Sequence, residues 1–423
     1  MKLRILLLCD KNKNHADTVL QHIAAFTDLS EYDVYIFNPL WLKNSKSLDL
    51  DEFDVVVIHY SLILIADHYL APAFREKIRH FRGLKIQFIQ DDYRWINQMT
   101  AMMRYIGIHI LFTLVPQDEI PKIWTEERLP GVTKLTTLAG YVPRIDVQPP
   151  PLKSRSLDVG YRGRTIPYWI GKITQDKVWI GQGFLQYANK YGLRCNIAWH
   201  EEARIYGKNW VKFICSCRAV LGTESGSTIT DFDGSIEKGV KSYLAKHPQA
   251  AFWEVYNQIL NPYEGNVNIV VISPRIFEAI ALRTGLILFE GEYSDIVQPW
   301  IHYIPLKKDF SNMDEVVEKL RDDNFMNTMI SRAYTDIVAS KKYSYKSFIE
   351  QFDQVVARYA KPYAKSGKTR YHLAQIERKL SLLYPPYQIT TIAGKLIPPL
   401  THEFHGKWVL LWLRRRLIRV QKG

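Results

Sequence analysis

Segment 268–289 reads NIVVISPRIFEAIALRTGLILF, an apolar run that stops at Ser273 and turns at once into helical spacing. Pro274 suits the first position of a helix, where its missing N–H costs nothing, and Gly285 suits the residue just past the helix. The unpaired N–H groups of such a start attract a phosphate. Ser273 and Arg275 flank them, and Glu278, one turn in, can accept hydrogen bonds from ribose hydroxyls. A second cationic group is YRGR at 161–164: Arg162 and Arg164 around Gly163 can grip a diphosphate bidentately, with Lys172 and Lys177 near enough to add charge. The bland alternatives are a surface helix for the first segment and a solvated basic loop for the second.

Segment 222–234, GTESGSTITDFDG, is rich in small residues that let a backbone approach a ligand closely. Glu224 is its carboxylate best placed to touch a substrate. Asp231 and Asp233 have D-x-D spacing, which can hold a metal but arises often by chance, and no metal is expected here. His59 ends the run DVVVIH, and a side chain that titrates near neutrality there suits the removal of a proton from a hydroxyl. His15, in the loop after the first apolar run, is its rival. Asp91, Asp92 and Arg94, in DDYR, offer hydrogen bonds to a polar ligand or a structural ion pair. The four cysteines, Cys9, Cys195, Cys215 and Cys217, show no C-x-x-C spacing, and reduced thiols in a cytoplasmic protein are expected.

These groups need elements to hold them. Residues 3–9 are continuously apolar, as a strand covered on both faces requires. A helical pattern with Val19, Ile23 and Phe26 on one face follows, then strands over 32–37, 54–59, 84–89, 108–115 and 132–138, with a helix over 72–81. This alternation predicts right-handed βαβ units. Three consecutive prolines, Pro149 to Pro151, interrupt it and mark a stiff linker over 147–154. The pattern then resumes, with strands over 157–160, 195–198, 213–221, 267–272 and 286–289 and helices over 177–191 and 274–283. YRGR is then a loop after the first of these strands. Ser311 to Asp314 and Ser347 to Glu350 read as capping boxes. The second would open a helix with Phe348, Phe352, Val355 and Tyr359 on one stripe.

At 423 residues, 47% hydrophobic and 23% charged, the chain can bury two or three cores. Of its net charge of +13, a net +11 falls in 361–423, so the body is close to neutral and nucleic acid is not an expected partner. The tail includes KWVLLWLRRRLIRV at 407–420, whose tryptophans and arginines suit an anionic membrane surface. A partner protein or the chain's own body are the other places such a helix could dock. No run reaches the length of a membrane span, and residues 1–10 are too short in apolar character for a signal peptide, so a cytoplasmic place, peripheral on the inner membrane face, is expected.

The 268–289 segment resembles the donor-binding segment of the GT-B glycosyltransferases, in the broad class of glycosyl transferases group 1. The resemblance implies an α/β fold of two Rossmann-like domains facing a cleft, over residues 1–360, followed by a C-terminal basic helical tail. It implies an N-terminal acceptor domain (1–147), a donor domain (155–340), a crossover helix (341–360) and the tail (361–423). The activity implied is transfer of a sugar from a nucleotide-sugar, bound as substrate with no cofactor and no metal, to a glycan or lipid-linked glycan in cell-surface polysaccharide assembly. Arg162, Gly163, Arg164, Lys177, Ser273, Arg275 and Glu278 would then hold the donor, and His15, Asp91, Asp92 and Arg94 the acceptor. His59 and Glu224 would be catalytic. The family pattern is Glu, seven residues, Glu; Glu278 matches the second, but Val270 stands at the first. A non-catalytic relative that binds glycan or scaffolds an assembly complex is the alternative this departure supports.

Overall fold

Strands that are apolar along their whole length must be covered on both faces, and the chain builds two parallel sheets from them. The computed structural model describes residues 2–12, 15–40 and 48–363. All of these belong to one compact unit, residues 1–367. The segment 407–420 and the tail from 364 onward lie outside the described residues.

The first half runs β1 (Arg4–Leu8), α1 (Asp17–Leu29), β2 (Asp33–Phe37), β3 (Val55–Ile58), α2 (Pro72–His80), β4 (Leu84–Phe88), α3 (Ile96–Ile106), β5 (Ile110–Thr113), α4 (Ile120–Ile123) and β6 (Thr133–Thr136). The second runs β7 (Leu157–Arg162), α5 (Asp176–Ala188), β8 (Cys195–Ala198), α6 (Gly207–Ser216), β9 (Cys217–Gly222), β10 (Ser225–Ser227), α7 (Ser235–Lys246), α8 (Phe252–Val255), β11 (Ile269–Val271), α9 (Pro274–Ala281), β12 (Gly285–Phe289) and β13 (Ile304–Leu306). Helices α10 (Met313–Arg321), α11 (Asp323–Ala333) and α12 (Tyr345–Tyr359) follow.

The first sheet has the order β2-β1-β3-β4-β5-β6 and the second β13-β12-β9-β7-β8, and every pairing within them is parallel. In both, the chain steps outward from the first strand to the second, then returns to the other side for the third. The strand order therefore reverses between β1 and β3 in one sheet and between β7 and β9 in the other. These are two Rossmann-like sheets with equivalent switch points, the GT-B-like fold. No described helix is long and apolar enough to cross a membrane.

Helix α12 returns to the first half, burying Tyr345, Phe348, Ile349, Phe352 and Val356 in the core of the first sheet. Its buried stripe is turned from the expected one: Val355 is only partly buried and Tyr359 is exposed. The helix also starts earlier than its expected box, because the Ser344 hydroxyl accepts from the Ser347 N–H at 3.1 Å and so caps it. The other expected box does not form. Asn312 is the residue before α10, and Ser311 donates its own N–H to Asp309.

Two expected strands are corrected. Residues 213–216 belong to α6, where Trp210, Phe213 and Ile214 follow helical spacing, and the strand begins at Cys217. The run at 267–272 gives the short β11, which pairs antiparallel with β10 outside the main sheet. Strand β7 also extends to Arg162, two residues beyond its expected end, which places Tyr161 and Arg162 in the strand.

Arg155 ties the linker to the second sheet. It is 3% exposed, and its guanidinium donates to the carbonyls of Pro150 (3.2 Å), Cys217 (2.8 Å), Leu282 (3.2 Å) and Arg283 (2.9 Å). Those carbonyls belong to the linker, the start of β9 and the end of α9. Removing the donor leaves buried acceptors unpaired, so Arg155→Ala should lower the unfolding free energy by about 3 kcal/mol in denaturant titration.

Candidate active site

In open parallel sheets a ligand sits beyond the carboxyl ends of the strands where the order reverses. At the switch point of the second sheet, the chain leaves β7 through Gly163, whose N–H donates to the Ala198 carbonyl at 2.8 Å. A Cβ at Gly163 would lie 2.7 Å from the Lys177 carbonyl and 2.9 Å from the Tyr161 ring, so only glycine lets this loop press on the start of α5. The Lys177 ammonium donates to the Ser225 hydroxyl (2.9 Å) and the Glu224 carbonyl (3.3 Å).

Burial, then the positive charges of Arg275 and Arg164, push the Lys177 pKa down to about 7, against a smaller opposing effect of Asp176. Arg275, in the first turn of α9, donates to the Arg162 carbonyl. Arg164 is exposed and has no hydrogen-bond or ion-pair partner among the described residues. Three cations thus crowd one another at the strand ends, an arrangement that an anion would relieve.

Glu278 is half-buried and accepts from the Trp210 indole N–H at 2.7 Å. Burial raises its pKa; Trp210 and Arg275 work against the rise, and Asp17 adds to it. Asp17 and Thr18 open α1 of the first half. Gly140 packs at the same junction: a Cβ there would lie 2.7 Å from Thr18 Cγ2 and 3.0 Å from Pro274. The start of α9 therefore lies beside the start of α1, and the two halves meet at this junction. Ser273 precedes α9 without using its side chain as a cap.

Two expected site residues point elsewhere. The Arg162 guanidinium donates to the Tyr161 carbonyl (2.8 Å) and to the Asn196 carbonyl (2.9 Å) and side chain (2.8 Å), and it stacks 4.3 Å over Phe213. It belongs to the strand edge, and the open arginine of YRGR is Arg164. The Glu224 carboxylate accepts the N–H groups of Glu292 (2.9 Å) and Tyr293 (2.8 Å) and is turned toward the loop after β12. Burial raises its pKa.

At the switch point of the first sheet, His59 follows β3 but is fully buried, and both ring nitrogens are engaged. The Ser61 N–H donates to His59 Nδ1 at 3.0 Å, so the ring proton lies on Nε2, which donates to His22 Nδ1 at 3.0 Å. Burial holds His59 well below its ordinary pKa and His22 at about 3. His59 is therefore a neutral core residue, out of reach of an incoming hydroxyl. His15 is open, with 28% of its side chain exposed, and its Nε2 lies 3.0 Å from the Asp10 carboxylate. Asp10 also accepts from Asn38 at 3.3 Å and donates its N–H to the Ser61 hydroxyl at 2.9 Å. The first-strand carboxylate was not among the expected residues, although its place, at the end of β1 and five residues before His15, signals it.

The DDYR segment divides. Asp92 is fully buried, accepts from Thr113, the Leu114 N–H and Trp124, and has its pKa raised to about 7 by burial. Arg94 pairs across the halves with Glu237 at 2.9 Å, beside a backbone bridge to Asp231. Neither is free for an acceptor. Asp91 is exposed and accepts from Tyr93 at 2.9 Å. The Asp231 carboxylate accepts the N–H groups of Gly234 and Glu237, both at 2.8 Å, and so holds the start of α7.

No protein-family model matches the chain, and no curated protein matches it in sequence. Solved structures similar to it include an α-glucosyltransferase in complex with UDP and DNA, with TM-score 0.48, 10% identity, and coverage of 84% of this chain and 100% of that one. Anabaena HepE in complex with UDP-glucose gives TM-score 0.48 and 11% identity over 84% and 100% of the two chains. TarM gives TM-score 0.40 and 12% identity over 71% of this chain, which spans only 54% of TarM. These are likenesses of fold alone.

The buried histidine pair has a measurable consequence. Above pH 6.5 it is neutral whether folded or unfolded. Below that, the unfolded chain takes up protons that folded His22 refuses down to about pH 3, so stability falls with pH. Asp92, raised to about 7, acts in the opposite sense below neutrality. In denaturant unfolding between pH 6 and pH 4.5, the stability of the wild-type protein should fall more steeply than that of His22→Leu, by about 1.4 kcal/mol per pH unit.

Proposed function

We propose that the chain is a glycosyltransferase that moves a sugar from a nucleotide-sugar to a hydroxyl group of a glycan or lipid-linked glycan in surface polysaccharide assembly. The observation that carries this reading is the crowding of Lys177, Arg275 and Arg164 beyond the strands of the second sheet, with an Asp10–His15 pair beyond the first strand of the other. A diphosphate leaving group gains negative charge as its bond to the sugar breaks. Fixed cations aimed at that charge stabilise the transition state more than the ground state. The start of α9 adds its N–H groups, and Glu278 supplies the ribose contact. This charge comes from side chains and backbone, so the reaction needs no metal in this reading.

On the acceptor side, His15 is the base. With Nε2–H donated to Asp10, Nδ1 holds a lone pair for the acceptor proton. The acceptor oxygen bonds to the anomeric carbon, the bond from that carbon to the diphosphate oxygen breaks, the proton moves to His15, and the nucleoside diphosphate leaves. A single displacement of this kind inverts the anomeric centre. Asp91, at the rim, is the remaining candidate for an acceptor contact. A cytoplasmic place with segment 407–420 at an anionic bilayer suits a lipid-linked acceptor.

The test is thermal stability against a panel of nucleoside diphosphates and their sugars, with and without chelator. One nucleotide at 100 times its dissociation constant should add about 2.7 kcal/mol. Arg164→Ala, which removes no hydrogen bond or ion pair among the described residues, should weaken that nucleotide about tenfold. His15→Ala should keep binding and lose transfer. No stabilisation by any member of the panel sinks the reading, and binding with neither transfer nor donor hydrolysis by the wild-type protein selects the non-catalytic glycan-binding alternative.

A further inference from the structure

The loop that follows β12 is unusual. Tyr293, Ser294 and Asp295 are three successive residues with φ of 49°, 55° and 57°, a region that side chains other than glycine rarely adopt. Glu292, just before them, has right-handed φ and ψ of −90° and −32°. A right-handed residue followed by a left-handed one turns successive backbone N–H groups to the same side, which makes a concave anion site, or nest. Here the nest is filled from within the protein. One oxygen of the Glu224 carboxylate accepts both the Glu292 N–H (2.9 Å) and the Tyr293 N–H (2.8 Å). Gly291 leaves room for it, since a Cβ there would lie 2.6 Å from Glu224 Cδ.

Two further bonds connect this contact to the cationic cluster. The Lys177 ammonium is held by the Glu224 carbonyl and by the Ser225 hydroxyl. The Ser294 hydroxyl accepts the Ile272 N–H at 3.1 Å, immediately before Ser273 and the start of α9. Residue 224 thus holds the lysine through its backbone, while its side chain holds the loop that fixes the start of α9.

We propose that Glu224 is a positioning residue: its carboxylate fills the nest at 292–293 and so sets the Lys177 ammonium and the start of α9 in register for a nucleoside diphosphate. The proposal rests on the donor-site reading above. It differs from a catalytic role, because Glu224 acts on the backbone of its own chain and never on the sugar. Glutamine keeps a carbonyl oxygen that can accept the same two N–H groups, whereas alanine leaves the nest empty.

The experiment measures nucleoside diphosphate affinity, turnover and thermal stability for the wild-type protein, Glu224→Gln and Glu224→Ala, each across a titration of sodium formate. Glu224→Gln should stay within about threefold of wild type in affinity and turnover. Glu224→Ala should lose about tenfold or more in nucleotide affinity, and formate, but not chloride at equal ionic strength, should restore part of its affinity and stability. Formate should do nothing for wild type.

Loss of turnover in Glu224→Gln with affinity intact would overturn the proposal in favour of direct chemistry. Affinity in Glu224→Ala equal to that of wild type would overturn it as well. If Glu224→Ala does not fold, Ser294→Ala breaks the link to α9 from the other side, and wild-type affinity in that variant counts against the proposal. Failure of the wild-type protein to bind any nucleotide would sink the donor-site reading, yet formate-specific stabilisation of Glu224→Ala would still establish the filled nest.

Discussion

A parallel strand covered on both faces has no free surface for chemistry except its ends. In β3 every side chain from Val55 to Ile58 is fully buried, and β12 is buried throughout. Whatever this protein binds must therefore meet the loops that leave the strands. Only where the strand order reverses do two adjacent loops diverge and leave a crevice between them. Both sheets reverse between their first and third strands, and both crevices open at the carboxyl edge. Gly140, Thr18 and Pro274 bring those edges together at one junction. The pairing of a cationic crevice with one that carries a histidine and a carboxylate follows from this constraint on strands.

The cationic groups raise the cost of one another's charge. Lys177 has neither a carboxylate in hydrogen-bond contact nor full access to water; its donors go to a hydroxyl and a carbonyl, and two arginines raise the cost of its charge. Several arginines of the same chain have firmer partners. Arg155 is surrounded by carbonyls, Arg94 has Glu237, and Arg218 has Asp323 at 2.7 Å. An unrelieved cluster at a strand-end crevice is where binding energy from an anion would be largest, because the anion replaces repulsion as well as adding attraction.

The sequence makes most of the scaffold legible, because continuous apolar runs such as 3–9 and 54–59 leave little choice but buried strands. It also puts Gly163 just past a strand and Lys177, Arg275 and Glu278 in the opening turns of helices, where the structure has them. The differences have two physical causes, a strand that outlasts its apolar pattern and partners distant in sequence. Arg162 and Arg164 differ only in whether the strand has ended: β7 runs two residues further than its apolar pattern suggests, which ties Arg162 to the sheet edge and leaves Arg164 open. His59 ends a strand as expected, but its partner His22 lies 37 residues away on a helix, and no local pattern reports a contact that distant. Glu224 and Asp92 likewise serve groups far along the chain.

Long-range contacts also tie the two halves together. The halves are joined by the linker, by α12, and by the 91–98 segment, where Arg94 pairs with Glu237, Asp231 donates its N–H to the Tyr93 carbonyl and Asn97 donates its own to Phe232. A backbone clasp is harder to open than a side-chain contact, because both strands of the contact lose paired N–H and carbonyl groups together. A ligand at the switch point of the second sheet would therefore meet loops whose neighbours are already tied to the first half, by the clasp at Tyr93 and Asp231 and by the packing of Gly140 against Thr18 and Pro274.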